Sequence, residues 1–114
     1  MNILKRYDAY LTFSKIGTEQ QEAIRSVMDK QGLDIDVCED VLEFRFEGRD
    51  LSDLVTSSFA EIAAVLKEAS GEIRCEINTD ESADPTFRFL TISDSRLWLQ
   101  TGKIVRSERR EWSA

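Results

Sequence analysis

One stretch, Asp50–Ser70, limits what this chain can become more than any other. Leu51, Leu54, Val55, Phe59, Ile62, Ala63, Leu66 and Ala69 recur in steps of three and four, which lines them along one face of an α-helix. Asp50 stands where an N-cap belongs, with Asp53 three residues on, so both carboxylates lie near the positive end of the helix dipole. Gly71 follows the last apolar turn and is placed to be a C-cap. An apolar face this wide needs cover. The flanking segments supply it, because they alternate apolar and polar at period two, as half-buried strands do. A sheet laid over an apolar helix is the simplest plan.

Taken in order, Tyr7–Lys15 alternates loosely, with Ala9, Leu11 and Phe13 on one side and Tyr10, Thr12 and Ser14 on the other, and reads as a first strand. Thr18–Gln31 reads as a second helix, with Ala23, Ile24, Val27 and Met28 as a narrow apolar stripe. Thr18 and Gln21 have the spacing of a capping box, and Gly32 followed by Leu33 fits a Schellman ending. In Leu33–Asp40, Ile35 and Val37 alternate with acids and can start a strand. Val41–Glu47 is the clearest strand: Leu42, Phe44 and Phe46 face one way, Glu43, Arg45 and Glu47 the other. Glu72–Asn78 repeats that pattern with Ile73, Cys75 and Ile77 inward. Thr79–Pro85 is an acidic loop. Thr86–Ser93 has Phe87 and Phe89 on one face and Leu90 and Ile92 on the other, so it belongs at the centre of a sheet or against a second layer. Asp94-Ser95 turns into Arg96–Gln100, Thr101-Gly102 reads as another turn, Lys103–Ser107 as a last strand, and Glu108–Ala114 as a frayed tail around Trp112.

The predicted fold class is therefore α+β, one domain over residues 1–114 in the order β-α-β-α-β-β-β-β, with a mostly antiparallel sheet and two helices packed on one face. The Glu/Arg alternation of Val41–Glu47 and Glu72–Asn78 would make cross-strand ion pairs if those strands are neighbours. The open edge at Lys103–Ser107 leaves two oligomeric states in play, monomer or homodimer.

Absences narrow the chemistry. There is no histidine. That removes Ser–His and Cys–His catalysis and His-ligated metal sites. The five glycines are dispersed, so no phosphate-cradling loop exists. A calcium loop starting at Asp34 meets Glu39 where it needs glycine and Arg45 where it needs glutamate, and one starting at Asn78 meets Ala83 and Phe89. Glu43 with Glu47, and Glu72 with Glu76, each flank an arginine that would keep both carboxylates ionised, which defeats a general acid. Cys75 reads as a core residue, and Cys38 is bordered by acids that weaken it as a thiolate; spacing alone leaves open whether the two are bonded. The expectation is no enzymatic activity, no cofactor and no metal.

Twenty-two acids against 15 bases give a net charge of −7. That disfavours direct contact with nucleic acid or an anionic membrane. Eight of the acids, against Arg45 and Arg49, fall within Asp34–Asp53. They form either a solvated face with helix caps or a surface for a Lys/Arg-rich partner. The candidate protein-binding patch is Asp34, Asp36, Glu39, Asp40, Glu43 and Glu47, with Trp98 as a candidate aromatic anchor because it points opposite to Leu97 and Leu99. A stoichiometric inhibitor would have such a surface, whether of the phage type aimed at a host nucleic-acid enzyme or defence complex (anti-CRISPR-like) or a toxin immunity protein. With no apolar h-region at its N-terminus, the chain is expected in the cytoplasm. The alternative is a small-ligand or simple hydrolytic domain with a pocket between the sheet and helix 50–70, lined by Phe44, Phe46, Phe59 and Phe87.

Overall fold

A computed structural model describes residues 3–81 and 83–103 of the chain. In sequence they form β1 (Ile3–Thr12), α1 (Thr18–Asp29), β2 (Asp36–Val37), β3 (Val41–Gly48), α2 (Leu54–Leu66), β4 (Ile73–Thr79), β5 (Thr86–Ser93) and β6 (Arg96–Lys103). The strands make one antiparallel sheet in the spatial order β2-β3-β1-β4-β5-β6, and both helices cover the same face. The α+β class, the single domain and the one-sided helical layer are as the periodicity predicts. None of the described helices is long and apolar enough to cross a membrane.

β1 is the middle of the molecule. Lys5, Tyr7, Ala9 and Leu11 alternate inward along it, and it pairs with β3 on one side and β4 on the other. It starts at Ile3, ahead of the alternation read from Tyr7, because an inward lysine breaks the apolar pattern. Its position also corrects the expected ion pairs. Val41–Glu47 and Glu72–Asn78 are not neighbours, and the pairs run through β1 instead. Arg6 lies 3.4 Å from Glu47 and 3.5 Å from Glu76, and Asp8 lies 3.8 Å from Arg45. Exposed pairs of this kind each contribute about 0–1 kcal/mol.

The core lies between the sheet and the helices. Leu11, Leu42, Phe44, Ile73, Leu90 and Ile92 meet Val55, Phe59, Ile62, Ala63 and Leu66 of α2, and Ile24, Val27 and Met28 of α1 close the same cluster. Phe59 meets Phe44 edge-on at 5.3 Å. Burying each of the Val, Leu, Ile, Phe and Met side chains stabilises the fold by about 1.5–3 kcal/mol.

The helix ends depart from the sequence reading in instructive ways. α1 is capped at Gly17, whose N–H donates to Gln20 Oε1 at 2.9 Å, so Gln20 and not Gln21 reaches back. Its C-terminus is the expected Schellman motif: Gly32 has φ 69 and Leu33 N–H donates to the Met28 carbonyl at 3.0 Å. α2 is shorter than Asp50–Ser70, and Lys67 at φ 68 ends it before Gly71. Gly71 has a different task. At φ 97 it lies against β1, where an added Cβ would collide with the Tyr10 carbonyl oxygen, while adjacent Ser70 exchanges backbone hydrogen bonds with Thr12.

β5 and β6 are joined by Asp94-Ser95 with both φ values positive, 54 and 60, a type I′ turn whose twist suits a tight hairpin. Thr101-Gly102 is not a turn. β6 runs straight through it, with Gly102 opposite Phe87 and an added Cβ there only 3.1 Å from the Phe89 ring. Beyond Lys103, the last strand and the tail expected from the sequence lie outside the described residues.

Candidate protein-binding surface

No element covers the second face of the sheet among the described residues. Cross-strand register places Glu43 and Arg45 of β3, Arg6, Asp8 and Tyr10 of β1, Arg74 and Glu76 of β4, Phe87 and Phe89 of β5 and Trp98 of β6 on that face. On the β5 side Phe87 and Phe89 stack at 6.0 Å, and Arg74 lies over the Phe87 ring at 4.9 Å. On the β3 side the face is charged.

The predicted acids divide into three groups. Asp36 stands directly opposite Glu43 in the β2–β3 ladder, and with Asp34, Asp8, Tyr10 and Arg45 they line a half-open groove of about 530 Å³. The charged lining sets Asp8, Asp34, Asp36 and Glu43 against Arg45 alone, a net charge of −3. Arg45 leans toward Asp8, so Asp34, Asp36 and Glu43 have no cationic partner among the described residues. Glu47 sits further along β3, and Arg6 offsets its charge. Glu39 and Asp40 form the β2–β3 turn. Their carbonyls accept hydrogen bonds from Ile16 N–H (2.7 Å) and Phe13 N–H (3.1 Å), and the Glu39 carboxylate pairs with Lys15 at 3.3 Å. Their backbones tie the turn to the chain leaving β1, and they stand apart from the groove.

Trp98 does not join the patch. It is 48% exposed and its indole N–H donates to the Ser93 carbonyl at 2.9 Å, but it lies on β6, at the opposite edge of the sheet from β2. Five strand spacings separate those edges, about 24 Å at ~4.8 Å each. One small contact cannot use both.

The sequence reading missed Asp8, Tyr10 and Arg45 as groove residues, because only the β1–β3 register brings them beside Asp34–Asp36. It also missed a buried polar cluster on the helical side. Lys5, only 5% exposed, donates from Nζ to the Asp50 carbonyl at 2.5 Å and to Asp53 Oδ1 at 2.6 Å, and Arg88 donates to the same Oδ1 at 2.9 Å. The Asp50 carboxylate accepts from Leu54 N–H (2.7 Å), Val55 N–H (3.0 Å) and the Tyr7 hydroxyl (3.2 Å). Asp50 therefore caps α2 from across the preceding turn, while Asp53 occupies the position before the helix in left-handed geometry. Lys5, with help from Arg88, holds the Asp53 carboxyl below its ordinary range. Lys5 and Arg88 both donate to Asp53, and Lys5 also reaches the Asp50 carbonyl, so the cluster anchors the start of α2 to the sheet. One clue was available: Lys5 has the same parity as Tyr7, Ala9 and Leu11.

Burial pushes the Cys75 thiol and the Tyr7 phenol up, so neither ionises near neutral pH. The cysteines are unbonded, Cys38 at the surface and Cys75 in the core. The four phenylalanines expected to line an internal pocket do not share one space: Phe44 and Phe59 are packed together, and Phe87 is on the other face of the sheet. No group of three or more metal-ligating side chains occurs among the described residues. Comparison of the chain with known protein families, characterised proteins and solved structures finds no match.

Proposed function

We propose that this is a non-enzymatic binding module that engages a basic surface of a partner protein with the groove beside β2 and β3. The observation that carries the proposal is the convergence of Asp34, Asp36 and Glu43, unneutralised, on an uncovered sheet face. Like charges directly opposite in a ladder are unfavourable. A lysine or arginine entering between Asp36 and Glu43 relieves that repulsion, so the free protein holds its complementarity in reserve. The acidic field also speeds encounter with a cationic partner. Nucleic-acid enzymes present such partners, because they gather Lys and Arg where phosphates bind. An inhibitor that occludes that surface, of the phage type or as a toxin immunity protein acting in the cytoplasm, fits this chemistry and needs no catalytic group.

The test is an NMR titration of the protein with an arginine-rich peptide. Amide shifts should concentrate at Asp34–Asp36, Glu43 and Arg45 and collapse as salt rises, since the Debye length falls from about 10 Å at 0.1 M to about 3 Å at 1 M. Shifts spread evenly over all acidic positions, or absent at the groove, would contradict the proposal.

A further inference from the structure

Among the described residues, the two edges of the sheet are unlike. β2 is two residues long and acidic, a blunted edge. β6 runs for eight residues and has no proline, and from Leu97 to Gly102 no charged residue. Leu99 lies on the helical face beside fully buried Leu90, yet it is 59% exposed. The two-residue turn makes Ser93 and Arg96 a mutually hydrogen-bonded pair. Alternation along β6 then sends the N–H and C=O groups of Leu97, Leu99 and Thr101 away from β5.

We propose that β6 pairs antiparallel with β6 of a second copy of this chain, about a two-fold axis at Leu99. That register sets Leu99 opposite Leu99, Leu97 opposite Thr101, Trp98 opposite Gln100 and Arg96 opposite Gly102. Every outward backbone group of Leu97, Leu99 and Thr101 finds a partner, the exposed leucine is covered by its own copy, and among the facing residues from Arg96 to Gly102 no like charges meet. Facing residues share parity, so the helices of both copies lie on one side of a continuous sheet. The net charge of −7 is no obstacle. The acidic edge is about 24 Å from β6, roughly three Debye lengths at physiological salt. A two-fold contact closes on itself, and the blunted β2 edge stops further strand addition. The dimer carries an acidic groove at each far end. This inference does not depend on what those grooves bind.

Sedimentation equilibrium of the full chain over a range of concentrations tests it. The expected mass rises with concentration from 13.1 kDa toward twice that value. Leu99→Lys sets two like charges face to face at the axis and should give the monomer mass throughout, with circular dichroism unchanged because the side chain is exposed. Thr101→Pro removes an outward N–H without touching the β5 ladder and should weaken association by about tenfold or more. A parent chain that stays at 13.1 kDa, whether its edge is empty or occupied by its own C-terminal residues, overturns the proposal. So does a dimer that survives both substitutions.

Discussion

Replacing Asp50 with alanine tests whether the buried cluster anchors α2. The carboxylate is 5% exposed and accepts three hydrogen bonds, two from helix N–H groups and one from Tyr7. Losing the cap costs about 1 kcal/mol, and leaving the Tyr7 hydroxyl unpaired in the core costs about 1–3 kcal/mol more. The sum is about 2–4 kcal/mol, a large share of the 5–15 kcal/mol typical of a whole domain. At about 4 °C per kcal/mol for a chain of this size, the melting temperature should fall by about 8–16 °C. Urea unfolding followed by circular dichroism measures the change at constant m-value. A double-mutant cycle sharpens it. Tyr7→Phe alone should cost about 0.5–1.5 kcal/mol, but in the Asp50→Ala background it removes an orphaned hydroxyl and should be neutral or stabilising. An Asp50→Ala variant within about 0.5 kcal/mol of the parent, or strictly additive effects, would refute the anchoring role.

Three further outcomes are expected. The Asp53 carboxyl is held low by Lys5 and Arg88 in the folded state, so its contribution is present above the unfolded value of about 3.9 and is lost as pH falls through the lower folded value; melting temperature should fall less steeply below pH ~5 in Asp53→Asn than in the parent. Gly32→Ala should cost about 1 kcal/mol, since only its positive φ is at issue, whereas Gly71→Ala should cost clearly more because its Cβ meets the Tyr10 carbonyl; equal urea midpoints would contradict the close approach. An Ellman assay should count one reactive thiol in the native protein, Cys38, and both in denaturant.

Periodicity revealed most of the fold. The apolar spacing of α2, the alternation of β3, β4 and β5 and the Gly32 ending all operate within a few residues, so each can be read locally. What could not be read depends on register. That β1 separates β3 from β4 decides which charges pair, and no local pattern encodes strand order. Lys5 hid the first turn of β1 because a buried lysine with acidic partners looks, in sequence, like a solvent residue. Thr101-Gly102 has turn composition, yet glycine there serves the packing of Phe89, a neighbour on another strand. For the candidate site, charge density pointed to Asp34–Asp53, but only tertiary placement separates Asp34, Asp36 and Glu43 in the groove from Glu39 and Asp40, whose backbones tie the β2–β3 turn to β1's exit, and from Trp98 on the far edge.

The most direct test of the binding proposal is affinity capture from lysate of the source organism, or of its host, with parent protein and an Asp34→Lys/Asp36→Lys/Glu43→Lys variant, at low and high salt. The expected result is a basic protein retained by the parent at low salt, shed at high salt and never retained by the variant. Equal capture by parent and variant, or capture indifferent to salt, would contradict a function based on the acidic groove.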